Sequence, residues 1–211
     1  MGRKIIDFKL YLITDRKLIT HNSSLITAVR KALMGGIRAV QLREKDLSTR
    51  PLLALAYKMR KLTSAHKVKL FINDRFDIAL AVGADGVHLT QNSIPVASVR
   101  DTVKKRLLIC VSTHSLKEAG DAEKGGADFI TFGPVFKTPS KMRYGLPVGT
   151  EALKKVCRNI TIPVFAIGGI KRNRIRDVRE SGVHGVAMIR EILLSDDIKG
   201  TSQELINITG A

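Results

Sequence analysis

Residues 125–133 read GGADFITFG: two glycines, a corner of small residues, then an apolar run closed by another glycine. A helix that ends on Gly can turn its last carbonyls toward a left-handed residue, and a small corner lets the chain pass directly into a strand. The run itself is apolar on both parities apart from one Thr, the pattern of a parallel strand buried on both faces. The same layout returns at 35–40 (GGIRAV), 82–89 (VGADGVHL) and 181–189 (SGVHGVAMI). Repeated helix-to-strand corners are enough to explain this echo, so it speaks to fold and not to chemistry.

Working outward from that corner, eight short runs of Val, Ile, Leu, Phe and Ala are predicted strands, at 10–14, 39–42, 70–73, 86–89, 107–112, 129–133, 164–168 and 184–189. Between them, 24–34, 49–64 and 116–125 carry apolar residues at spacings of three and four, the signature of helices with one buried face. Asn22, Ser23 and Ser115 suit helix N-caps, and Gly35-Gly36 and Gly125-Gly126 suit C-caps. Strand–helix alternation repeated eight times, with no linker, predicts an α/β fold: a single (βα)8 TIM-barrel domain over residues 1–211. A doubly wound nucleotide-binding sheet would place G-x-G-x-x-G after the first strand, and none occurs there.

The apolar share of 44% and charged share of 26% are those of an ordinary globular chain. No apolar run approaches the length of a membrane span, and residues 1–9 lack the apolar core of a secretion signal, so the expectation is a cytoplasmic protein with no membrane partner. Cys110 and Cys157 fit no metal-ligand spacing and read as buried thiols. Lys and Arg outnumber Asp and Glu by 36 to 19, a formal charge of +17. Such a field favours anionic ligands. The basic residues are scattered and lack interleaved aromatics, which points to small phosphorylated substrates and away from nucleic acid. Oligomeric state is left open, a homo-oligomer included.

In this fold the chemistry sits at the C-terminal ends of the strands. Reading only those ends collects Thr14-Asp15, Gln41 to Lys45, Asn73-Asp74, His88, Ser112 to His114, the 133–141 loop, Gly168-Gly169 and Ile189-Arg190. Cations, amides and hydroxyls with a carboxylate at Asp74 suit a phosphate or pyrophosphate ligand and a divalent metal. Gln41 and Arg43 are two apart and share one side of the strand, with Lys45 following in the loop; R-E-K equally suits a solvated turn. Asp74 suits a Mg²⁺ ligand or a helix N-cap. Thr138, Ser140 and Lys141 can wrap an anion or form an ordinary turn. Gly168-Gly169 precedes a helix, where backbone N–H groups can approach a phosphate.

YLITD (11–15), QLREK (41–45), IND (72–74), GADGVHL (83–89), VSTH (111–114), GADFITFGPVFKTPSK (126–141), IPVFAIGGI (162–170) and GVAMI (185–189) together resemble the thiamine-phosphate synthase family, in that family's order and approximate spacing. The resemblance implies a transferase that joins hydroxymethylpyrimidine diphosphate to a thiazole phosphate and releases pyrophosphate through a dissociative, Mg²⁺-assisted displacement. It implies pyrimidine-diphosphate contacts from Gln41, Arg43, Lys45, Asn73, Ser112 and Lys141, and a Mg²⁺ ligand at Asp74. Thr138, Ser140, Gly168, Ile189 and Arg190 match the thiazole-phosphate positions.

Two departures stand out. Where the family reads H-L-G-Q-x-D-x-P, this chain reads HLTQNSIP (88–95), so Ser93 replaces the second Mg²⁺ carboxylate. Arg190 stands where the family carries a small residue. These changes keep two alternatives in play. One is a thiazole tautomerase, a sister of the synthases, with His114 as acid–base residue. The other is a non-catalytic thiamine-phosphate-binding regulatory paralogue.

Overall fold

The computed structural model describes residues 6–19, 24–138 and 146–210. Eight parallel strands close into a barrel in chain order: β1 (Leu10–Ile13), β2 (Ala39–Leu42), β3 (Lys69–Asn73), β4 (Gly86–Leu89), β5 (Leu108–Thr113), β6 (Phe129–Phe132), β7 (Val164–Ile167) and β8 (Gly185–Met188). The predicted (βα)8 TIM barrel is the observed fold. Outside the strands lie α1 (Leu25–Met34), α2 (Thr49–Ala65), α3 (Phe76–Ala81), α4 (Val96–Val103), α5 (Leu116–Lys124), α6 (Gly149–Asn159), α7 (Ile175–Glu180), α8 (Arg190–Leu193) and α9 (Ile198–Thr209). Among the described residues no helix is long and apolar enough to cross a membrane.

Strand alternation divides the core in two. One parity faces the helices: Leu12, Val40, Leu70, Ile72, Val87, Ile109, Ile130, Ala166 and Val186 pack there against the buried faces of the outer layer. The other parity fills the lumen with Tyr11, Ile13, Phe71, Leu108, Cys110, Phe129, Phe165 and Ala187. Phe8, 2% exposed, closes the N-terminal end, its ring 5.2 Å from Phe165 and 5.7 Å from Phe129. Large aromatics occupy the lower lumen, with His184 beside Phe165 at its N-terminal end, and the polar strand-end groups lie at its C-terminal mouth.

The sequence echo has a physical use. Asp85 and Asp128 stand at the same place in GAD corners before β4 and β6. The Asp85 carboxylate accepts from Leu70 N–H at 2.9 Å and from Arg60 of α2 at 2.6 Å. Asp128 repeats this with Ile109 N–H at 2.7 Å and Arg100 of α4 at 2.5 Å. Each acid thus joins its own corner to the preceding strand and to the preceding but one helix, on the stabilising end of the barrel.

Strand boundaries differ from expectation by about a residue, and β5 begins at Leu108 and runs on to Thr113. The N-cap of α1 is Ser24, whose hydroxyl accepts from Thr27 N–H at 3.1 Å. The expected Asn22 and Ser23 lie outside the described residues. Ser115 caps α5 as expected, accepting from Glu118 N–H at 3.2 Å.

Candidate active site

The upper lumen is divided by chemistry. On β2 through β6, the inward positions carry Gln41, Asn73, His88, Ser112 and Thr131. On β1, β7 and the chain leaving β8 they carry Ile13, Ile167 and Ile189, all three packed in the lumen cluster. Gln41 Nε2 donates to Asn73 Oδ1 at 2.9 Å, while Gln41 Oε1 is buried with no partner among the described residues. Ser112 Oγ lies 2.9 Å from His88 Nε2, and Tyr11 Oη lies 3.3 Å from His88 Nδ1. Burial, reinforced by the Arg43 charge, pushes the His88 pKa down to about 3, so the ring is neutral. A neutral imidazole donates from one nitrogen and accepts at the other, so Tyr11 and Ser112 take opposite roles across the ring.

Arg43 follows β2 at the mouth, half-buried, close enough for its charge to act on His88. Its side chain makes no hydrogen bond or ion pair to a described residue. Lys45 is exposed in the turn that follows. Beneath both, the Arg43 N–H donates to Thr14 Oγ1 at 2.9 Å, and Thr14 Oγ1 donates to Glu44 Oε1 at 2.6 Å. Thr14, Glu44 and His88 belong to the strand ends collected from sequence, though without a role of their own, and Thr131 was not among them. Thr131 lies inside the apolar run of β6, and Glu44, inside R-E-K, reads as a surface charge.

Asp74 ends β3 in the left-handed region, φ 64°. Its N–H donates to the His88 carbonyl at 2.8 Å, which sets it beside the loop leaving β4. Its carboxylate is exposed and makes no hydrogen bond or ion pair with a described residue; the position before α3 belongs to Arg75, so Asp74 is not its N-cap. In that neighbouring loop the Ser93 hydroxyl accepts from Thr90 N–H at 2.7 Å, closing a local turn. Among the described residues no group of three or more His, Cys, Asp or Glu side chains gathers into a metal site.

On the opposite rim, the chain after β6 is laid along the end of β7. Val135 N–H donates to the Ile167 carbonyl at 2.9 Å and Phe136 N–H to the Gly168 carbonyl at 3.0 Å. Gly168 and Gly169 have φ of +97° and +65°, and a Cβ added at Gly169 would stand 2.6 Å from the Lys137 carbonyl oxygen. Only glycine permits both the left-handed turn and this approach. Thr138 is therefore brought next to Gly168 and Gly169. Ser140 and Lys141 lie outside the described residues. Ile189 precedes α8 and Arg190 is its first residue; Arg190 lines a groove of about 420 Å³ shared with Lys171, Leu194 and, from α9, Thr201 and Leu205.

His114 follows β5, two residues after Ser112. Its Nδ1 lies 3.1 Å from Glu118 Oε2, which also accepts from the His114 N–H at 2.9 Å. The ring is thereby held to the first turn of α5, and no lumen side chain among the described residues bonds it. The structure thus brings together Gln41, Asn73 and Ser112, with Arg43 above them, and pairs His114 with Glu118.

Known proteins of similar sequence and structure identify the family. The sequence profile described as thiamine monophosphate synthase matches residues 10–192. A thiamine-phosphate synthase of Clostridium novyi is 44% identical over 96% of this chain and 99% of its own length. One from Clostridium acetobutylicum is 40% identical, covering 97% and 96% of the two chains. Among solved structures, a thiamine phosphate pyrophosphorylase from Pyrococcus furiosus superposes with a TM-score of 0.87 at 38% identity, covering 96% of this chain and 95% of that one. The chain belongs to the thiamine monophosphate synthase family.

Proposed function

We propose that the chain is a thiamine-phosphate synthase, a transferase that joins hydroxymethylpyrimidine diphosphate to thiazole (carboxylate) phosphate and releases pyrophosphate, with CO2 as well when the thiazole carries the carboxylate. The observation that carries this reading is the divided upper lumen, with Gln41, Asn73 and Ser112 facing Ile13, Ile167 and Ile189 under Arg43. A flat heteroaromatic ring with one polar edge matches such a space. The buried Gln41 Oε1 has no donor among the described residues, and an amino group on a pyrimidine would supply one.

The reaction asks little covalent work of the protein. The bond from the pyrimidine methylene carbon to the diphosphate oxygen breaks, its electron pair leaves with pyrophosphate, and the thiazole nitrogen captures the pyrimidine-stabilised cation. What the site must supply is charge stabilisation for the leaving group and alignment of the two rings. In this reading Arg43, Lys45 and Lys141 receive the diphosphate charge, and Ser112, oriented by His88, adds a hydroxyl. By the family resemblance, Thr138, Ser140, Gly168, Ile189 and Arg190 are assigned to the thiazole phosphate. Asp74, exposed and with a carboxylate that pairs with no described residue, fits a Mg²⁺ ion that arrives on the diphosphate, since that ion commonly takes one or two carboxylates plus phosphate oxygens and water. When bound, that ion would neutralise charge on the departing pyrophosphate.

The test is to mix purified protein with both substrates and Mg²⁺ and follow thiamine phosphate by its oxidation to a fluorescent thiochrome. Product that accumulates with enzyme concentration is expected. None, beside an active control enzyme, overturns the reading.

A further inference from the structure

The end of β2 is fastened to the end of β1 by one continuous set of hydrogen bonds. Thr14 is fully buried and Glu44 is 5% exposed, although both lie where strands give way to loops. The Arg43 N–H donates to Thr14 Oγ1 at 2.9 Å. A hydroxyl has a single proton, and that of Thr14 goes to Glu44 Oε1 at 2.6 Å. The same carboxylate accepts from the Arg16 N–H, at 3.2 Å to Oε1 and 3.0 Å to Oε2. The Arg16 guanidinium passes Glu44 at 3.7 Å and bonds Asp46 at 2.7 Å, where Lys17 also pairs at 3.2 Å.

Every one of these links converges on the turn 43–46. Burying a carboxylate is costly unless its oxygens are met by donors, and here burial pushes the Glu44 carboxyl up against the opposing pull of Thr14 and Arg16. Closing a short turn does not require a buried acid. The acid in question sits between two cations, Arg43 and Lys45. With Glu44 turned into the protein, Arg43 is left on the opposite side of the turn, over the mouth, where its charge reaches His88.

From this we propose that Thr14 and Glu44 are positioning residues, which hold the Arg43 backbone so that its guanidinium meets the diphosphate substrate. The inference rests on the synthase reading above. It differs from a purely structural role in one respect: its effect must pass through Arg43.

The experiment compares kcat and the KM of each substrate in wild type, Thr14→Val, Thr14→Ser, Arg43→Met and the Thr14→Val/Arg43→Met double variant. Thr14→Val should raise the KM for the pyrimidine diphosphate about tenfold, the worth of roughly one lost hydrogen bond, while Thr14→Ser restores it. The KM for the thiazole phosphate should stay within about twofold, and Thr14→Val should add less than about twofold once Arg43 is Met. If Thr14→Val does not fold, Glu44→Gln carries the same cycle, with the same direction expected. An unchanged diphosphate KM in Thr14→Val while Arg43→Met raises it overturns the inference, as does an undiminished Thr14→Val effect in the Arg43→Met background. An unchanged KM in Arg43→Met beside an active wild type overturns this inference and leaves the synthase reading standing, whereas no product from wild type overturns the synthase reading and this inference with it.

Discussion

Gln41 and Asn73 meet across neighbouring strands, Gln41 Nε2 donating to Asn73 Oδ1 at 2.9 Å, and this contact leaves the buried Gln41 Oε1 an acceptor with no donor among the described residues. A buried polar atom left unsatisfied costs about 1–3 kcal/mol, a cost that a ligand N–H would remove on binding. Replacing Gln41 by Met keeps the length of the side chain and removes both functions of the amide. Steady-state kinetics should show kcat/KM for the pyrimidine substrate falling roughly 10- to 100-fold, with the thiazole phosphate KM little changed. Equal losses for both substrates would move Gln41 out of the pyrimidine site.

His88 gives a prediction about acid stability. Its folded pKa is pushed to about 3 from the ordinary 6.5, so the unfolded chain takes up a proton below 6.5 that the folded chain refuses until about 3. The stability it contributes is complete above pH 6.5 and is lost as pH falls toward 3, at up to about 1.4 kcal/mol per pH unit. His88→Gln keeps a partner for Ser112 and removes the titration. Urea denaturation between pH 4 and 7 should show a shallower loss of stability in the variant; parallel curves would contradict the assignment.

Much of the architecture was legible because strands buried on both faces read as unbroken Val, Ile, Leu and Phe runs. Within them, alternation alone placed Gln41 on the same side as Arg43. Legibility stopped where pairing spans long stretches of chain. Tyr11 and His88 lie 77 residues apart and meet only because the barrel closes. Glu44 looked like one charge in a surface turn; its burial depends on β1 arriving beside β2, 30 residues away along the chain. His114 is an acid–base candidate by residue type, and its pairing with Glu118 in the first turn of α5 was not legible from that type alone.

The rim at Gly169 should tolerate no side chain. Its φ of +65° disfavours one, and an added Cβ would fall 2.6 Å from the Lys137 carbonyl oxygen and 2.8 Å from Phe136 Cβ. Gly169→Ala is expected to destabilise the protein by about 1–3 kcal/mol and to raise the KM for the thiazole phosphate. Thermal unfolding together with that KM checks both, and an unchanged melting temperature would contradict the close packing of the two loops.

Ser93 closes a turn through the Thr90 N–H, an acceptor role that an Asp side chain can also fill. Since the Asp74 N–H bonds the His88 carbonyl, this loop leaves β4 beside the Asp74 carboxylate. Ser93→Asp should therefore lower the Mg²⁺ concentration for half-maximal coupling by about threefold or more, as added ligand charge tightens a hard-cation site. A titration that overlays wild type would mean position 93 lies out of reach of the ion.

The most direct test is a crystal structure with hydroxymethylpyrimidine diphosphate and Mg²⁺ bound and the thiazole withheld. The account predicts the pyrimidine edge on the Gln41 amide, the ring against Ile13, Ile167 and Ile189, and the diphosphate between Arg43 and Asp74. Density for the ligand in the outer groove beside Arg190 and Leu194, with the upper lumen unchanged, would contradict it.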